Sequence, residues 1–344
     1  MLYVFCGDSP SDKLQQMTEQ FCLPYSCVRR VRKGSLPVIS KSDKILIAID
    51  IDEFSGSDIP LLELIAAARR QSDHYFAGAV GAILCCGFSM LYTKTFASKI
   101  AFLCNGMGLA FIGKPVVEAL LEYRNFMNKQ KQLPLPLKEI CLQDCKILGE
   151  RLSDFRSDFR PHRITAVHTS RPEVSNTHAL MNEILSRLSA YKTTFSLHGK
   201  SIMDCRGCLF NQCLSLSSKG RCYYSEDILD EVFRDLVDSD SLMIACPNYN
   251  DSMPANYFAM VNRMTYIYRS QDLSQKSVYA IIVSSNSGSD MVAAQVISAF
   301  CFNKGFRLPP YFALTGQACD PLSILSQEGI EASIEEYASR LRSK

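Results

Sequence analysis

Residues Arg163–Leu188 read RITAVHTSRPEVSNTHALMNEILSRL, and the way this stretch divides decides the fold. RITAVH is a short apolar run of the length of a buried strand. Apolar residues then recur at Leu180, Met181, Ile184, Leu185 and Leu188, the spacing of one helix face, which predicts a helix over His178–Ala190. Between them lies the polar TSRPEVSNT. Strand, polar loop and helix make one βα unit, and the pattern continues downstream. Thr193–Leu197 predicts a second strand. Ser225 is a plausible N-cap, with Glu226 and Asp227 placing negative charge at the positive end of a helix whose stripe is Ile228, Leu229, Val232, Phe233, Leu236 and Val237. SLMIAC (241–246) predicts a third strand, PNYNDSMP (247–254) a loop and Ala255–Tyr268 a helix. SVYAIIVS (277–284) predicts a fourth strand, followed by SSNSGSD (284–290). Asp290 then caps a helix over Met291–Lys304 that Gly305 ends, and Tyr311–Leu314 is a fifth strand.

Strict alternation of this kind forces parallel strands joined by right-handed crossovers, with helices on both faces of the sheet. Five strands fit the order 2-1-3-4-5, in which ligands bind at the carboxyl ends of the strands. The loops after strands one, three and four are then the ones to inspect, and they are rich in Ser and Asn.

The first half is a paler version of the same pattern. Strands are predicted at LYVFC, KILIAID, GAILCC and LAFIG, and helices at SDKLQQMTEQF, Ile59–Arg70, Tyr92–Leu103 and Val116–Phe126. The polar KQKQLPLPLKE follows, and the charged GERLSDFRSDFRPHR (149–163) marks a domain boundary, giving units 1–158 and 159–344. A chain of 344 residues suits two domains. The predicted class is α/β: two tandem three-layer domains with parallel sheets.

Hydrophobic residues make up 47% of the chain and the net charge is +2, so nothing points to nucleic acid or an anionic membrane as a partner. No apolar run reaches the roughly 18 residues of a membrane span, and MLYVFCGDSP lacks the basic and apolar regions of a signal peptide. The expected location is cytosolic. In a reducing compartment most of the 15 cysteines are expected to be buried apolar residues, Cys6, Cys85, Cys86, Cys104, Cys246 and Cys301 among them.

Each polar loop has a bland reading as an ordinary cap or turn and a functional one. In TSRPEVSNT, free backbone N–H groups at a helix start attract phosphate. Ser170, Ser175, Asn176 and Thr177 add polar groups and Arg171 a positive charge. In CPNYNDSMPA, Pro247 and Pro254 stiffen the chain, Tyr249 offers a flat face, and Asn248 and Asn250 offer amides for a planar ring. In SSNSGSD, Gly288 lets the backbone approach a ligand closely.

These three loops resemble those of the flavodoxin-like NAD(P)H-dependent FMN reductase family, over residues 161 to 320. Ser170-Arg171-Pro172-Glu173-Val174-Ser175-Asn176-Thr177 is similar to that family's first loop. Cys205-Arg206-Gly207-Cys208, Gly220-Arg221-Cys222 and Glu226-Asp227 follow its second landmark. Pro247, Tyr249, Ser252, Pro254, Ala255 and Arg263 follow its third. The resemblance implies flavodoxin-like domains, bound FMN and NAD(P)H as co-substrate. Ser170, Arg171, Ser175, Asn176 and Thr177 would hold the phosphate. Pro247, Asn248, Tyr249, Asn250, Ser252 and Met253 would lie on one side of the ring, and Ser285, Asn286, Ser287 and Gly288 on the other. Electrons would pass to a small-molecule or protein acceptor. The chain departs from the pattern at Thr169 and Asp251, where Gly is usual, and at Cys246, in place of Ser.

The first half lacks this signature. Its first loop, GDSPSDK, carries two aspartates and no arginine and would repel a phosphate, so this domain is expected to be degenerate. Because relatives commonly pair as dimers, the resemblance implies either a homodimer or an intrachain pseudo-dimer.

Cys205, Cys208, Cys213 and Cys222 leave three readings open: a [4Fe–4S] cluster as in iron–sulfur flavoprotein relatives, a structural zinc site, or free or redox-active thiols. The cluster would make the protein an electron carrier. A third alternative is a non-catalytic flavodoxin-like scaffold. His74, His162, His168, His178 and His198 show no metal-ligand spacing and no evident catalytic partner.

Overall fold

A computed structural model describes residues 1–156, 159–224 and 226–342. They fall into two compact units. One comprises residues 1–156 with Pro309–Tyr311, the other residues 159–308 with 312–342. Residues 157 and 158, inside the predicted boundary, lie outside the described residues, as does Ser225.

The first unit is built from β1 (Leu2–Phe5), α1 (Asp12–Cys22), β2 (Val28–Val31), β3 (Lys44–Ile51), α2 (Ile59–Gln71), β4 (Val80–Gly87), α3 (Thr93–Gly106), β5 (Ala110–Ala119), α4 (Met127–Gln130) and α5 (Leu137–Asp154). Its five strands are all parallel, in the order β2-β1-β3-β4-β5. Leu14, Met17 and Phe21 of α1 and Ile140, Cys141, Cys145, Leu148 and Leu152 of α5 cover one face of the sheet, over Val4, Leu46 and Leu84. The two helices approach so closely that a Cβ on Gly149 would stand 2.1 Å from the Phe21 carbonyl oxygen.

Three features here differ from the sequence reading. VRRV forms β2, which is mostly exposed; two arginines on an edge strand hide any apolar pattern. Val116 and Val117 do not begin a helix but extend β5, pairing with Ile83 and Leu84, as β-branched residues favour. Only a distorted 3₁₀ segment, Leu121–Phe126, follows, with Glu122 and Tyr123 at positive φ. The missing helix lies further on, as α5. Its buried stripe is part cysteine and its exposed face strongly charged, so its start read as a polar segment and its end as the boundary.

The second unit contains β6 (Arg163–His168), α6 (Asn176–Ser186), β7 (Tyr191–Ser196), α7 (Phe210–Ser217), α8 (Ile228–Asp238), β8 (Ser241–Pro247), α9 (Ala255–Arg263), α10 (Thr265–Ser270), β9 (Ser277–Ser284), α11 (Ser289–Val296), β10 (Ala313–Gln317) and α12 (Ile330–Leu341). The order β10-β9-β8-β6-β7, all parallel, is 2-1-3-4-5 counted within the unit. Both sheets therefore have the flavodoxin-like arrangement.

Differences here are local. The helix predicted over His178–Ala190 begins two residues earlier, because Ser175 caps it, and ends at Ser186. The helix predicted over Ala255–Tyr268 breaks at Met264 into α9 and α10. Asp227 caps α8, accepting from Leu229 N at 3.0 Å. Gly288, with φ 87°, precedes α11 and places Asp290 in its first turn rather than at its cap. That helix runs on into a π-helical turn, Ile297–Asn303. Neither α7 nor α12 was foreseen. The six cysteines expected in the core are all buried. Among the described residues no helix is long and apolar enough to cross a membrane.

Candidate functional site

In the second unit the adjacent strands β9, β8 and β6 bring their carboxyl ends, and hence the three polar loops, side by side. The loop after β6 is stiff. Ser175 Oγ accepts from His178 N at 3.1 Å. His168, at the strand end, donates through Nδ1 to the Ser170 carbonyl at 3.1 Å. Thr169 and Ser170 are 7% and 6% exposed, yet among the described residues neither hydroxyl oxygen has a hydrogen-bond partner. A buried hydroxyl left unpaired costs about 1–3 kcal/mol, so these two mark where a polar ligand group belongs. Arg171 is exposed and 3.9 Å from Glu173. The Asn176 side chain is committed elsewhere. It donates to the Asp320 carbonyl at 2.9 Å and accepts from Ile324 N at 3.0 Å. Each of its two polar atoms thus already has one partner within the chain. Thr177 is buried at the start of α6.

After β8, Tyr249 and Ser252 exchange backbone hydrogen bonds of 3.1 and 3.2 Å around Asn250 and Asp251, both at positive φ. Two consecutive left-handed residues make a type I′ turn, a conformation Asn and Asp tolerate. The turn projects the Tyr249 ring, 53% exposed. The Asn248 amide nitrogen donates to Ser287 O at 2.8 Å and Ser284 Oγ at 3.1 Å, tying this loop to the one after β9. Its amide oxygen is buried without a partner among the described residues. Gly288 is obligatory. Its φ is positive, and a Cβ there would lie 1.9 Å from Asp251 Oδ1. Gln295 of α11, which the sequence reading missed, donates to Asp251 O at 3.1 Å and accepts from Met253 N at 2.9 Å. Pro247 and Met253 are buried, while Ser285, Asn286 and Ser287 are exposed. Tyr257 OH donates to Val167 O at 2.7 Å and Ala245 O at 2.8 Å, locking the ends of β6 and β8 together.

The sequence reading also missed that His168 and His178 touch, their ring centroids 4.4 Å apart. The only signal was two histidines flanking one loop. Both have their pKa values lowered, chiefly by burial.

Of the three readings left open for the cysteine segment, the described residues show no cage of thiols. Cys205 is exposed, Cys208, Cys213 and Cys222 are half-buried, and Cys213 lies on α7. Among the described residues no three His, Cys, Asp or Glu side chains are placed to hold a metal ion. Other contacts order the segment. Arg206 stacks 4.0 Å over Tyr223. The buried Arg263, a motif residue, pairs with Asp227 and donates to the Tyr224 carbonyl at 3.2 Å.

The same position in the first unit is different. A cavity of about 560 Å³ opens there, lined by Asp8, Asp50, Asp52 and Asp58, with no lysine or arginine. Asp50 accepts from Ser11 N, at the N-cap of α1, and from the Cys86 thiol at 3.1 Å. Asp58 accepts from Leu61 N and Asp50 N, each at 2.9 Å.

Residues 162–318 match the family model described as NADPH-dependent FMN reductase. The resemblance read from the three motifs therefore holds over the span that carries the loops. Among solved structures, the chain is similar to the Trp repressor binding protein from Bacillus subtilis, at 17% identity over 53% of this chain and 99% of that one, TM-score 0.37. It is similar to an azoreductase from Bacillus anthracis, at 13% identity over 52% and 97%, TM-score 0.38. It is also similar to an FMN-dependent NADH-azoreductase from Bacillus anthracis, in complex with FMN, at 15% identity over 52% and 99%, TM-score 0.36. No curated protein matches the chain.

Proposed function

We propose that the second unit is an FMN-dependent oxidoreductase that takes electrons from NAD(P)H and delivers them to a small-molecule or protein acceptor. The observation that carries this reading is the set of three buried, unpartnered polar atoms, Thr169 Oγ1, Ser170 Oγ and Asn248 Oδ1, in neighbouring loops among the described residues. The match of residues 162–318 to the FMN reductase family supports it.

The residues present suit FMN. Thr169, Ser170 and Thr177 hydroxyls, with the N–H groups opening α6, would take the phosphate, and the exposed Arg171 would add charge from the rim. Asn248 and Tyr249, backed by Gly288, would take the ring. FMN supplies the two-electron chemistry between nicotinamide and acceptor. The chain contributes position and electrostatics. Its donors are fixed before any ligand arrives, by the Ser175 cap, the Asn248 amide and the Gln295 clamp. The exposed Tyr249, Ser285 and Asn286 leave an open approach for co-substrate. No side-chain acid–base pair is required.

The test is an absorption spectrum of anaerobically purified protein, before and after NADH or NADPH. Flavin bands that bleach establish the reductase. Absence of bands, even after incubation with FMN, would leave only the scaffold reading. The iron–sulfur carrier reading has no gathered thiols to support it. Iron that copurifies and is lost in Cys208→Ser would reinstate it.

A further inference from the structure

His168 ends β6 and His178 lies in the first turn of α6, so the two imidazoles flank the 169–175 loop in sequence and meet on one side of it. Each holds one of its carbonyls. His168 Nδ1–H donates to Ser170 O at 3.1 Å, and a ring N–H of His178 donates to Pro172 O. In a trans peptide the C=O and the following N–H point in opposite directions. Anchoring those two carbonyls on the imidazoles therefore turns the N–H groups of Arg171 and Glu173 to the other side of the loop. The same loop carries the two buried hydroxyls that lack partners among the described residues. The rings, 4.4 Å apart, each spend one N–H on a carbonyl, and the Asn182 amide nitrogen lies 3.4 Å from the His178 ring nitrogens.

We propose that the His168–His178 pair is the proton-linked support of the anion site, gaining a proton from solvent when a phosphomonoester binds the 169–177 loop. This rests on the FMN reading and adds its regulation. Neutral imidazoles fit the ligand-free loop, since two touching cations, one buried and one half-buried, would repel. An anion held by the N–H groups across the loop opposes that repulsion, because a nearby opposite charge favours the protonated imidazole. Other charged groups facing the pair are His198, which disfavours protonation of His168, and Glu173, which favours it on His178. Glu173 is itself paired with Arg171. The sign follows. The ligand-bound pKa lies above the ligand-free one, so phosphate recognition strengthens as pH falls through the interval between them.

The experiment measures dissociation constants of the full chain for FMN and for riboflavin, which lacks the phosphate, from pH 7.5 to 5.5. His168→Asn and His178→Gln are measured alongside, and imidazole proton resonances of the unaltered chain are followed with and without FMN. The phosphate's own titration is common to every protein and cancels between them. The expected result is a preference for FMN over riboflavin that grows about tenfold more on acidification in the unaltered chain than in either variant, with both imidazole titrations moved upward by FMN. Parallel pH profiles in unaltered chain and variants, or imidazole titrations that FMN leaves in place, would overturn the linkage while leaving the flavin reading intact. A chain that binds neither FMN nor riboflavin overturns both. His178, being half-buried, supplies the variant that folds if His168→Asn does not.

Discussion

The loop after β1 and the loop after β6 occupy the same place in the same topology, and they differ in charge: carboxylates gather around the first, while the second carries one paired arginine and glutamate. In the first unit the donor at the start of α1 is already taken. Asp50 reaches over from β3 and accepts from Ser11 N, so the chain brings its own anion. In the second unit no carboxylate stands in β8, and Thr169 and Ser170 wait with buried hydroxyls that have no partner among the described residues. The fold provides the crevice in both. What separates a binding site from a filled one is whether the loop's polar groups are satisfied before a ligand arrives.

The sharpest way to break this comparison is at Gly288. Gly288→Val forces a side chain into positive φ and into Asp251. Flavin affinity should fall at least a hundredfold and the unit should lose about 2–4 kcal/mol, from left-handed strain plus steric conflict. Equilibrium denaturation and fluorescence titration measure the two. Next in size, Asp50→Ala in the first unit should lose about 1–3 kcal/mol by stranding Ser11 N. A gain in stability would show that the carboxylate is not serving as the internal anion.

Ser170→Ala should behave in the opposite way. Without ligand it removes an unsatisfied hydroxyl, so stability should hold or rise by up to about 1 kcal/mol, while FMN affinity falls roughly five- to thirtyfold. If both stability and affinity drop, the hydroxyl has a partner within the chain and the contrast between units weakens. The smallest effect is in pH. Burial raises the pKa of Asp58, so the stability it contributes is full below the unfolded value near 3.8 and is lost as pH rises through the folded one. Burial lowers the pKa of His168, so its contribution is full above the unfolded value near 6.5 and is lost as pH falls through the folded one. Acidification from pH 7 to 5 should therefore speed amide exchange around β6 and leave or slow it around α2, measured by exchange mass spectrometry with correction for intrinsic rates.

Much of the second unit was legible because its strands are continuous apolar runs and its loops are rich in Ser, Asn and Pro. Alternation made the sheet parallel, and five strands fitted the order found. The first unit was harder, for physical reasons. α5 buries cysteines where Leu or Ile would have announced a stripe, and β5 carries a register shift between Gly81 and Ile83 on its partner that hides its length. At the site, the residue types in the three loops were readable, but their commitments were not. Asn176 looked like a ligand donor and is engaged with Asp320 and Ile324. Gln295 looked like any helix residue and holds a loop. The His168–His178 contact joins residues ten apart through a turn whose geometry no spacing rule specifies. The four cysteines show the converse: a suggestive number and location in sequence, with no cage among the described residues.

The Gln295 clamp has a mechanical consequence. One amide grips both Asp251 and Met253 from α11, whose first residues carry Gly288 and the loop after β9. With Asn248 pinned to Ser287 as well, the two loops form a single jaw. A shift of either loop must therefore carry the other with it.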